Sequence, residues 1–514
     1  MDYALALLSG VLLTLSFPKF GHPAFAWVAL APLLASVLLP GAAARRSALR
    51  AWTLGLITGF TYFAGTIYWT ADVLASYGGL QRLVSVLLAA LLVAYLALYP
   101  ALFALIVARV AARLSMAAAC LTAPAIWVAT EWLRGVLLTG FPWVLLGYSQ
   151  TDVLPVAQLA SVTGVYGLSA LVAASGAAVT WVMCTRRARA WGAVGGVGLV
   201  VGLVAFWGRA RIAADEWTAK GTPLTVGIVQ GNVPQDQKWD PEHAAQIFDR
   251  YLRMSRRVVQ DGAKLVVWPE SSTPFRLEED RLGRRLIGEI AAAGGASMLI
   301  GSSEVARTTA APPRYYNSAF MVSPVASGST PVYRKMHLVP FGEYVPLRRM
   351  LFFARPLVEG VGDFTPGDAL GLLPVGGHRV STAICYEIIF PPLVQEAVAR
   401  GSELLTTITN DAWYGYSSAP YQHFEQARLR SIEQGRYLVR AANTGVSGIV
   451  DPYGRVVVRT RLFQTEVVVR DVRLIEERTL YSRVGDVFAY ACLLLTGLMV
   501  VLVRPRRGGK RRRG

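Results

Sequence analysis

The sequence predicts a polytopic α-helical membrane domain of about eight spans joined to an α/β domain with packed layers. Three observations lead there. Long apolar runs fill the first two hundred residues and recur at the C-terminus. A polar island with alternating strand and helix patterns lies between Trp207 and Phe488. Basic residues cluster in every second connection between apolar runs. The chain has 514 residues, 54% of them hydrophobic, with mean hydropathy +0.41. That mean is too apolar for an ordinary globular protein and too low for a chain wholly inside a membrane.

The apolar runs cover Ala4–Phe17, Phe25–Leu39, Trp52–Ala71, Leu83–Val107, Met116–Leu133, Val153–Met183, Trp191–Trp207 and Val487–Val503. Most approach the roughly 20 residues that cross a bilayer, and the first two are shorter. The first run has no basic residues before it and no clear small-residue cleavage site, so it does not read as a secretory signal. The formal net charge is +18. Its clustering beside apolar runs argues for membrane topology and against nucleic-acid binding. Arg45, Arg46 and Arg50 mark one connection, Arg109 and Arg113 another, and Arg186, Arg187 and Arg189 a third; Arg504–Arg513 belongs with them. The alternate connections carry only Lys19, Arg82 and Arg134. The positive-inside rule then places both termini in the cytoplasm and the island outside. The expected division is a seven-span domain over 1–210, an extracytoplasmic domain over 221–478, a last span over 485–504 and a basic tail over 505–514.

Within the island, strand patterns fall at Thr225–Gln230, Ala263–Trp268, Ser297–Gly301, Ser318–Val322, Thr330–Arg334, Val380–Ile384, Leu404–Thr409 and Ser447–Val450. Helical patterns fall at Glu242–Gln260, Asp280–Ala293, Leu393–Arg400 and Tyr421–Tyr437. Such alternation argues for a layered α/β or α+β domain.

Cys385 is the only cysteine of the island, because Cys120, Cys184 and Cys492 belong to apolar runs. It has no partner for a disulfide within its domain, and is either an inert core residue or a reactive thiol. Three polar groups close three of the strand patterns: Glu270, Lys335 and Cys385. In open α/β sheets, side chains beyond strand carboxyl ends converge on ligands. A thiol attacks as nucleophile, a carboxylate takes and returns its proton, and an ammonium favours the thiolate and steadies an oxyanion. Taken singly, each has a plainer reading: a buried cysteine as core filler, Glu270 as a cap or ion pair, Lys335 as a solvated charge, Glu387 as a favourable charge at a helix start. A zinc site is excluded, since one cysteine and the scattered His337, His378 and His423 lack ligand spacing.

Trp268-Pro-Glu-Ser271, Tyr333-Arg-Lys-Met-His-Leu-Val-Pro-Phe-Gly-Glu-Tyr-Val-Pro346 and Ile384-Cys-Tyr-Glu-Ile388 resemble the Glu–Lys–Cys pattern of the nitrilase superfamily. Thr409-Asn-Asp-Ala-Trp-Tyr-Gly415, Gln422-His423, Thr139-Gly-Phe-Pro-Trp143 and Tyr148-Ser149 extend the resemblance to its membrane branch, the apolipoprotein N-acyltransferase family of the bacterial inner membrane. The resemblance covers nearly the whole chain. It implies an αββα sandwich for the island. It implies transfer of a fatty acyl chain from a membrane phospholipid to the N-terminal amine of a diacylated apolipoprotein. Cys385 is then the nucleophile that forms a thioester, Glu270 the general base and acid, and Lys335 the oxyanion support. Glu343, Tyr386 and Glu387 match supporting positions, and Trp239 matches a tryptophan of the substrate-binding region. No metal or organic cofactor is implied.

The segment Phe341–Phe364 holds Tyr344, Leu347, Met350, Leu351, Phe352 and Phe353 beside Arg348 and Arg349. It reads either as a loop packed on its own domain or as a lid dipping into the bilayer interface. Trp413, Tyr414 and Tyr416 suit either core packing or the same interface. Two other functions remain open from the residues: a membrane-anchored amidase or nitrilase that passes its acyl group to water, and a scaffold with a dead nitrilase-like domain.

Overall fold

The computed structural model describes residues 1–19, 21–39, 47–308, 311–325, 330–344 and 364–504. Each of the eight apolar runs is helical. Among the described residues, four helices are long and apolar enough to cross a membrane: Arg82–Arg113, Met116–Thr139, Ala160–Thr185 and Ala188–Ala219. Asp2–Thr14, Pro23–Leu38 and Val487–Leu502 are shorter apolar helices. A 13-residue helix such as Asp2–Thr14 is only about 20 Å long at ~1.5 Å per residue, less than a ~30 Å hydrocarbon core. Length and apolarity alone thus mark four spans where the sequence reading counted eight. The run expected over Val153–Met183 is also broken. Leu154–Ala157 forms a separate turn, and the long helix starts at Ala160.

The island is a sandwich of two six-stranded sheets. The first contains β1 (Thr222–Gln230), β2 (Leu265–Val267), β3 (Ser297–Thr308), β4 (Ala311–Val322), β5 (Val332–Arg334) and β12 (Glu466–Leu474), in the order β12-β1-β2-β3-β4-β5. The second contains β6 (Leu373–Val375), β7 (His378–Ile384), β8 (Leu404–Thr409), β9 (Leu438–Ala442), β10 (Gly448–Val450) and β11 (Val456–Arg459), in the order β11-β10-β9-β8-β7-β6. Strands β1, β2 and β3 run parallel, as do β7, β8 and β9, so each sheet has a parallel centre and antiparallel margins.

Period-two alternation builds the layers. Val226 and Ile228 of β1 and Leu265 and Val267 of β2 point between the sheets, onto Ile384, Ile408 and Val439. Val229, Val266 and Trp268 point the other way, onto Ile247, Tyr251 and Ile287 of helices Pro241–Gln260 and Arg281–Gly294. Asp240 starts the first of these helices, its carboxylate accepting the Glu242 N–H at 2.9 Å with Pro241 following.

The outer helices of the second sheet have no solvent face of the usual kind. Pro391–Ala399 and Ala419–Gln434 share one continuous apolar core with the membrane helices. Trp143 Nε1 donates to Gln422 Oε1 at 2.7 Å, and Gln422 Nε2 donates to the carbonyls of Pro18 and Thr66 at 3.0 and 3.1 Å. Arg430 donates to Tyr148 Oη at 2.8 Å, and Glu433 accepts the Val165 N–H at 2.9 Å. Gln422, Arg430 and Glu433 of the sandwich thus find partners in the membrane part, which helps fix the sandwich against it.

Candidate active site

Cys385 follows β7 immediately, Lys335 follows β5 and Glu270 lies just beyond β2. The sandwich brings these strand ends together. Lys335 Nζ is 3.6 Å from Glu270 Oε1 and 2.9 Å from Glu343 Oε2. Asn317 Nδ2 donates to Glu270 Oε1 at 2.7 Å and to Glu343 Oε1 at 2.8 Å. The Asn410 N–H donates to Glu270 Oε2 at 2.9 Å. Gly301 makes room for this arrangement, since a Cβ there would lie 2.7 Å from the Glu270 Cα. The nucleophile turn is strained: Cys385 has φ +54°, which costs a side-chain-bearing residue about 1–3 kcal/mol.

All three side chains are buried. Burial first, then the Glu270 charge, pushes the Cys385 thiol up; Lys335 and the Thr409 hydroxyl pull the other way. Burial thus works against the thiolate and Lys335 works for it. Burial opposes the Lys335 ammonium, but Glu343 and then Glu270 outweigh it and raise its pKa. A fixed cation beside a thiol and a carboxylate is an arrangement for deprotonation and attack.

Two family models match this chain, one over the membrane part and one over the sandwich. Residues 225–480 match the carbon-nitrogen hydrolase family. Residues 9–178 match the family described as apolipoprotein N-acyltransferase N-terminal domain. An apolipoprotein N-acyltransferase of Geobacter metallireducens is 40% identical, covering 98% of this chain and 96% of the relative. That of Methylococcus capsulatus is 36% identical over 99% of this chain and 97% of the relative. The chain belongs to the apolipoprotein N-acyltransferase family. It is an acyltransferase of the nitrilase superfamily. Among solved structures, an amidase from Nesterenkonia covers 53% of this chain and 97% of its own, at 20% identity and a TM-score of 0.39.

The residues expected to support the site, Glu343, Glu387 and Tyr386, bond to the segments around it. Glu343 accepts the Val339 N–H at 2.8 Å as well as the Lys335 ammonium. Glu387 is fully buried and collects four donors: the Tyr333 hydroxyl at 2.9 Å and the N–H groups of Met336, His337 and Ile384 at 2.7, 3.0 and 2.7 Å. It thereby ties the turn bearing Cys385 to the loop bearing Lys335. Burial pushes Glu387 up to about 7, against the backbone donors and Lys335. Tyr386 donates its hydroxyl to the Gly140 carbonyl at 3.2 Å, a contact with the membrane part.

Trp239 is 52% exposed. Its neighbour Lys238, which the sequence reading passed over, is the residue that enters the site. Lys238 is buried, and its Nζ donates to the Glu270 carbonyl at 3.1 Å. Burial holds it down to about 8, although Glu270 and Cys385 favour its charge. The available signal was a lysine among polar turn residues just before a helix cap, which is the ordinary pattern of a solvated loop. The lid expected over Phe341–Phe364 lies, from 345 to 363, outside the described residues. Its two ends meet, with the Phe364 N–H donating to the Glu343 carbonyl at 3.0 Å. Of the aromatic group, Tyr414 is half-buried, its hydroxyl pKa raised first by desolvation, and Trp413 stacks edge-on to Tyr77 at 4.8 Å. Tyr416 is 68% exposed and rests on Phe463. Tyr414 also borders a cavity of about 370 Å³ shared by Tyr68, Asp72 and Tyr77 of the membrane part and Trp413 and Tyr416 of the sandwich.

Proposed function

We propose that this acyltransferase moves a fatty acyl chain from a membrane phospholipid to the N-terminal amine of a diacylglyceryl-cysteine lipoprotein, by a ping-pong reaction through a thioester on Cys385. The observation that carries the reading is a single buried thiol facing Glu270 and Lys335 at the seam between a sandwich and membrane helices. A hydrolase of small amides has no use for that seam, whereas a lipid ester is delivered there.

In the first half-reaction, Glu270 takes the thiol proton as Sγ attacks the ester carbonyl. The S–C bond forms, Lys335 Nζ balances the oxyanion, and collapse breaks the ester C–O bond. Glu270 returns the proton to the departing lysophospholipid oxygen. In the second, the acceptor amine attacks the thioester, Glu270 takes its proton, and the sulfur leaves as a thiol on receiving that proton. Glu343 and Glu387 hold Lys335 and its loop, Tyr386 secures the nucleophile turn to the membrane part, and Trp239 contacts substrate.

The topology belongs to the same reading: eight spans, with the three shorter apolar helices and Ala48–Thr66 crossing beside the four long ones. The protein sits in a bacterial inner membrane with both termini cytoplasmic. The segments 1–210, 221–478, 485–504 and 505–514 are membrane domain, periplasmic catalytic domain, last span and cytoplasmic tail. The reaction is tested by incubating the purified protein with labelled phospholipid alone. An acyl adduct on Cys385, discharged by a diacylated lipopeptide, is the expected result. An adduct elsewhere, or full transfer by Cys385→Ala, overturns the mechanism.

A further inference from the structure

A second network stands behind the nucleophile, and the proton transfers above do not use it. It joins the carboxyl ends of β7, β8 and β9 to helix Ala419–Gln434. His423, on that helix, is fully buried. Its Nε2 lies 3.1 Å from the Cys385 carbonyl oxygen. Its Nδ1 lies 3.1 Å from an Arg440 guanidinium nitrogen and 3.2 Å from Asp411 Oδ1. Arg440 also donates to Asp411 Oδ2 at 2.8 Å and to the Val446 carbonyl at 3.1 Å. Thr409 donates to Asp411 Oδ1 at 2.9 Å.

Two contacts favour a proton on Nε2. A guanidinium has no lone pair to offer, so toward Arg440 Nδ1 can only accept, and toward the Cys385 carbonyl Nε2 can only donate. The opposite tautomer gives Asp411 an Nδ1–H, but sets that hydrogen against an arginine N–H and a bare Nε2 lone pair against a carbonyl oxygen. Asp411 does not depend on it, since the Thr409 hydroxyl and Arg440 already donate to its two oxygens. A doubly protonated ring satisfies Asp411 and the carbonyl but adds a cation against Arg440 away from water. Burial, then Arg440, depress the His423 pKa, against the pull of Asp411.

The held carbonyl matters because of where it is. Cys385 occupies the left-handed region, and its carbonyl shares one trans peptide plane with the Tyr386 N–H. With the carbonyl turned to His423, that N–H points the other way. If the peptide rotates, both the direction of the N–H and the aim of the Cys385 side chain change.

We propose that His423 is a positioning residue: its Nε2–H, oriented by Arg440 and Asp411, locks the Cys385–Tyr386 peptide and holds the strained nucleophile aimed at Glu270 and Lys335. The inference rests on Cys385 being the acylated residue. His423 itself exchanges no proton with substrate.

The test uses the full-length protein in detergent with mixed micelles of labelled phosphatidylethanolamine and phosphatidylglycerol, following acyl–Cys385 formation by mass spectrometry. His423→Phe keeps the buried ring and deletes the donor. His423→Gln keeps an N–H near the Nε2 position, and His423→Asn keeps an amide too short to reach. The expected result is a saturated acylation rate lower by about 30-fold or more in His423→Phe and His423→Asn. Half-saturating lipid stays within about threefold, and His423→Gln recovers the rate to within about fivefold of wild type. Where His423→Phe does not fold, the Asn and Gln pair decides alone. Wild-type rates in the donor-less variants, an effect confined to half-saturation, or a His423→Gln as slow as His423→Asn would each overturn the inference. A wild-type protein that forms no adduct would instead sink the thioester reading.

Discussion

Lys335 and Glu343 form a buried ion pair 2.9 Å long across a loop that also carries the closest approach of Lys335 to Glu270, at 3.6 Å. The lysine is nearer Glu343 than Glu270, and the two carboxylates share its charge. Asn317 bridges the two carboxylates from the other side.

This sharing has a mutational signature. Lys335→Met leaves two buried carboxylates joined through Asn317 with no cation between them. Removing one partner of a buried charge cluster costs about 3–5 kcal/mol. Lys335→Met is therefore expected to lose both acyl transfer and thermal stability. Lys335→Met combined with Glu343→Gln is expected to regain most of the stability while transfer stays lower by about 100-fold or more. Melting curves and transfer assays on the same preparations check this. Recovery of activity in the double variant would show that Lys335 has no part in the chemistry.

Lys238 makes a prediction about pH. Its folded pKa is about 8, below the roughly 10.4 of a free lysine. Between these values the folded protein has released the proton while the unfolded chain still holds it. Stability attributable to this group therefore rises with pH through that window, and the cost of burying the ammonium is full below pH 8. Lys238→Met is expected to flatten the dependence of unfolding free energy on pH between about 8 and 10 by up to one proton's slope. Denaturation in detergent at several pH values measures it, and an unchanged slope would mean the ammonium is solvated.

Glu387 is expected to behave as a joint. Its two oxygens accept four donors, three of them backbone N–H groups. Glu387→Gln replaces an acceptor with an amide that faces a donor, and an unmade buried hydrogen bond costs about 1–3 kcal/mol. Acylation of Cys385 should fall together with the melting temperature, because the turn at Cys385 and the loop at Met336–His337 lose their common anchor. Glu387→Gln with wild-type stability and reduced rate would point to a direct role in the reaction instead.

The strands β1, β2, β3, β7 and β8 were legible because they are short runs rich in β-branched residues, and parts of β4, β5 and β10 were too. Glu270, Lys335 and Cys385 stood out by position at strand ends, but only the resemblance lifted them above plainer readings. The strands β6, β9, β11 and β12 were not read. β12 carries Arg470, Asp471 and Arg473 along an edge open to solvent, so its alternation is hidden among charges. The strand β9 was missed because Arg440 interrupts it, and that charge is satisfied by Asp411, His423 and the Val446 carbonyl from outside the strand. Helix Ala419–Gln434 reads as a polar surface helix yet is buried, since its partners are Trp143, Tyr148 and the Val165 N–H of the membrane part. Tertiary satisfaction of this kind has no local sequence signal. Span length was equally hard to read, because apolar runs do not show where a helix such as Asp2–Thr14 ends.

Topology can be tested with little disturbance. Gly221 is a poor site for insertion, because it has φ +81° and a Cβ there would lie 2.0 Å from the Leu474 carbonyl. Ala219 and Ala188 are exposed, on either side of helix Trp191–Ala214. The four natural cysteines are all buried. A membrane-impermeant maleimide should therefore report mainly on Ala219→Cys or Ala188→Cys when either is introduced singly. Arg186, Arg187 and Arg189 flank Ala188, and the positive-inside rule predicts a cytoplasmic position for it. The helix between the two sites is long and apolar enough to cross a membrane. Ala219→Cys is thus expected to label in intact spheroplasts, and Ala188→Cys only after lysis. The reverse pattern would turn the catalytic sandwich to the cytoplasm, where a lipoprotein acceptor anchored in the outer leaflet could not meet Cys385. Labelling of both sites from outside would mean that helix Trp191–Ala214 does not cross, and the count of spans before the sandwich would drop by one.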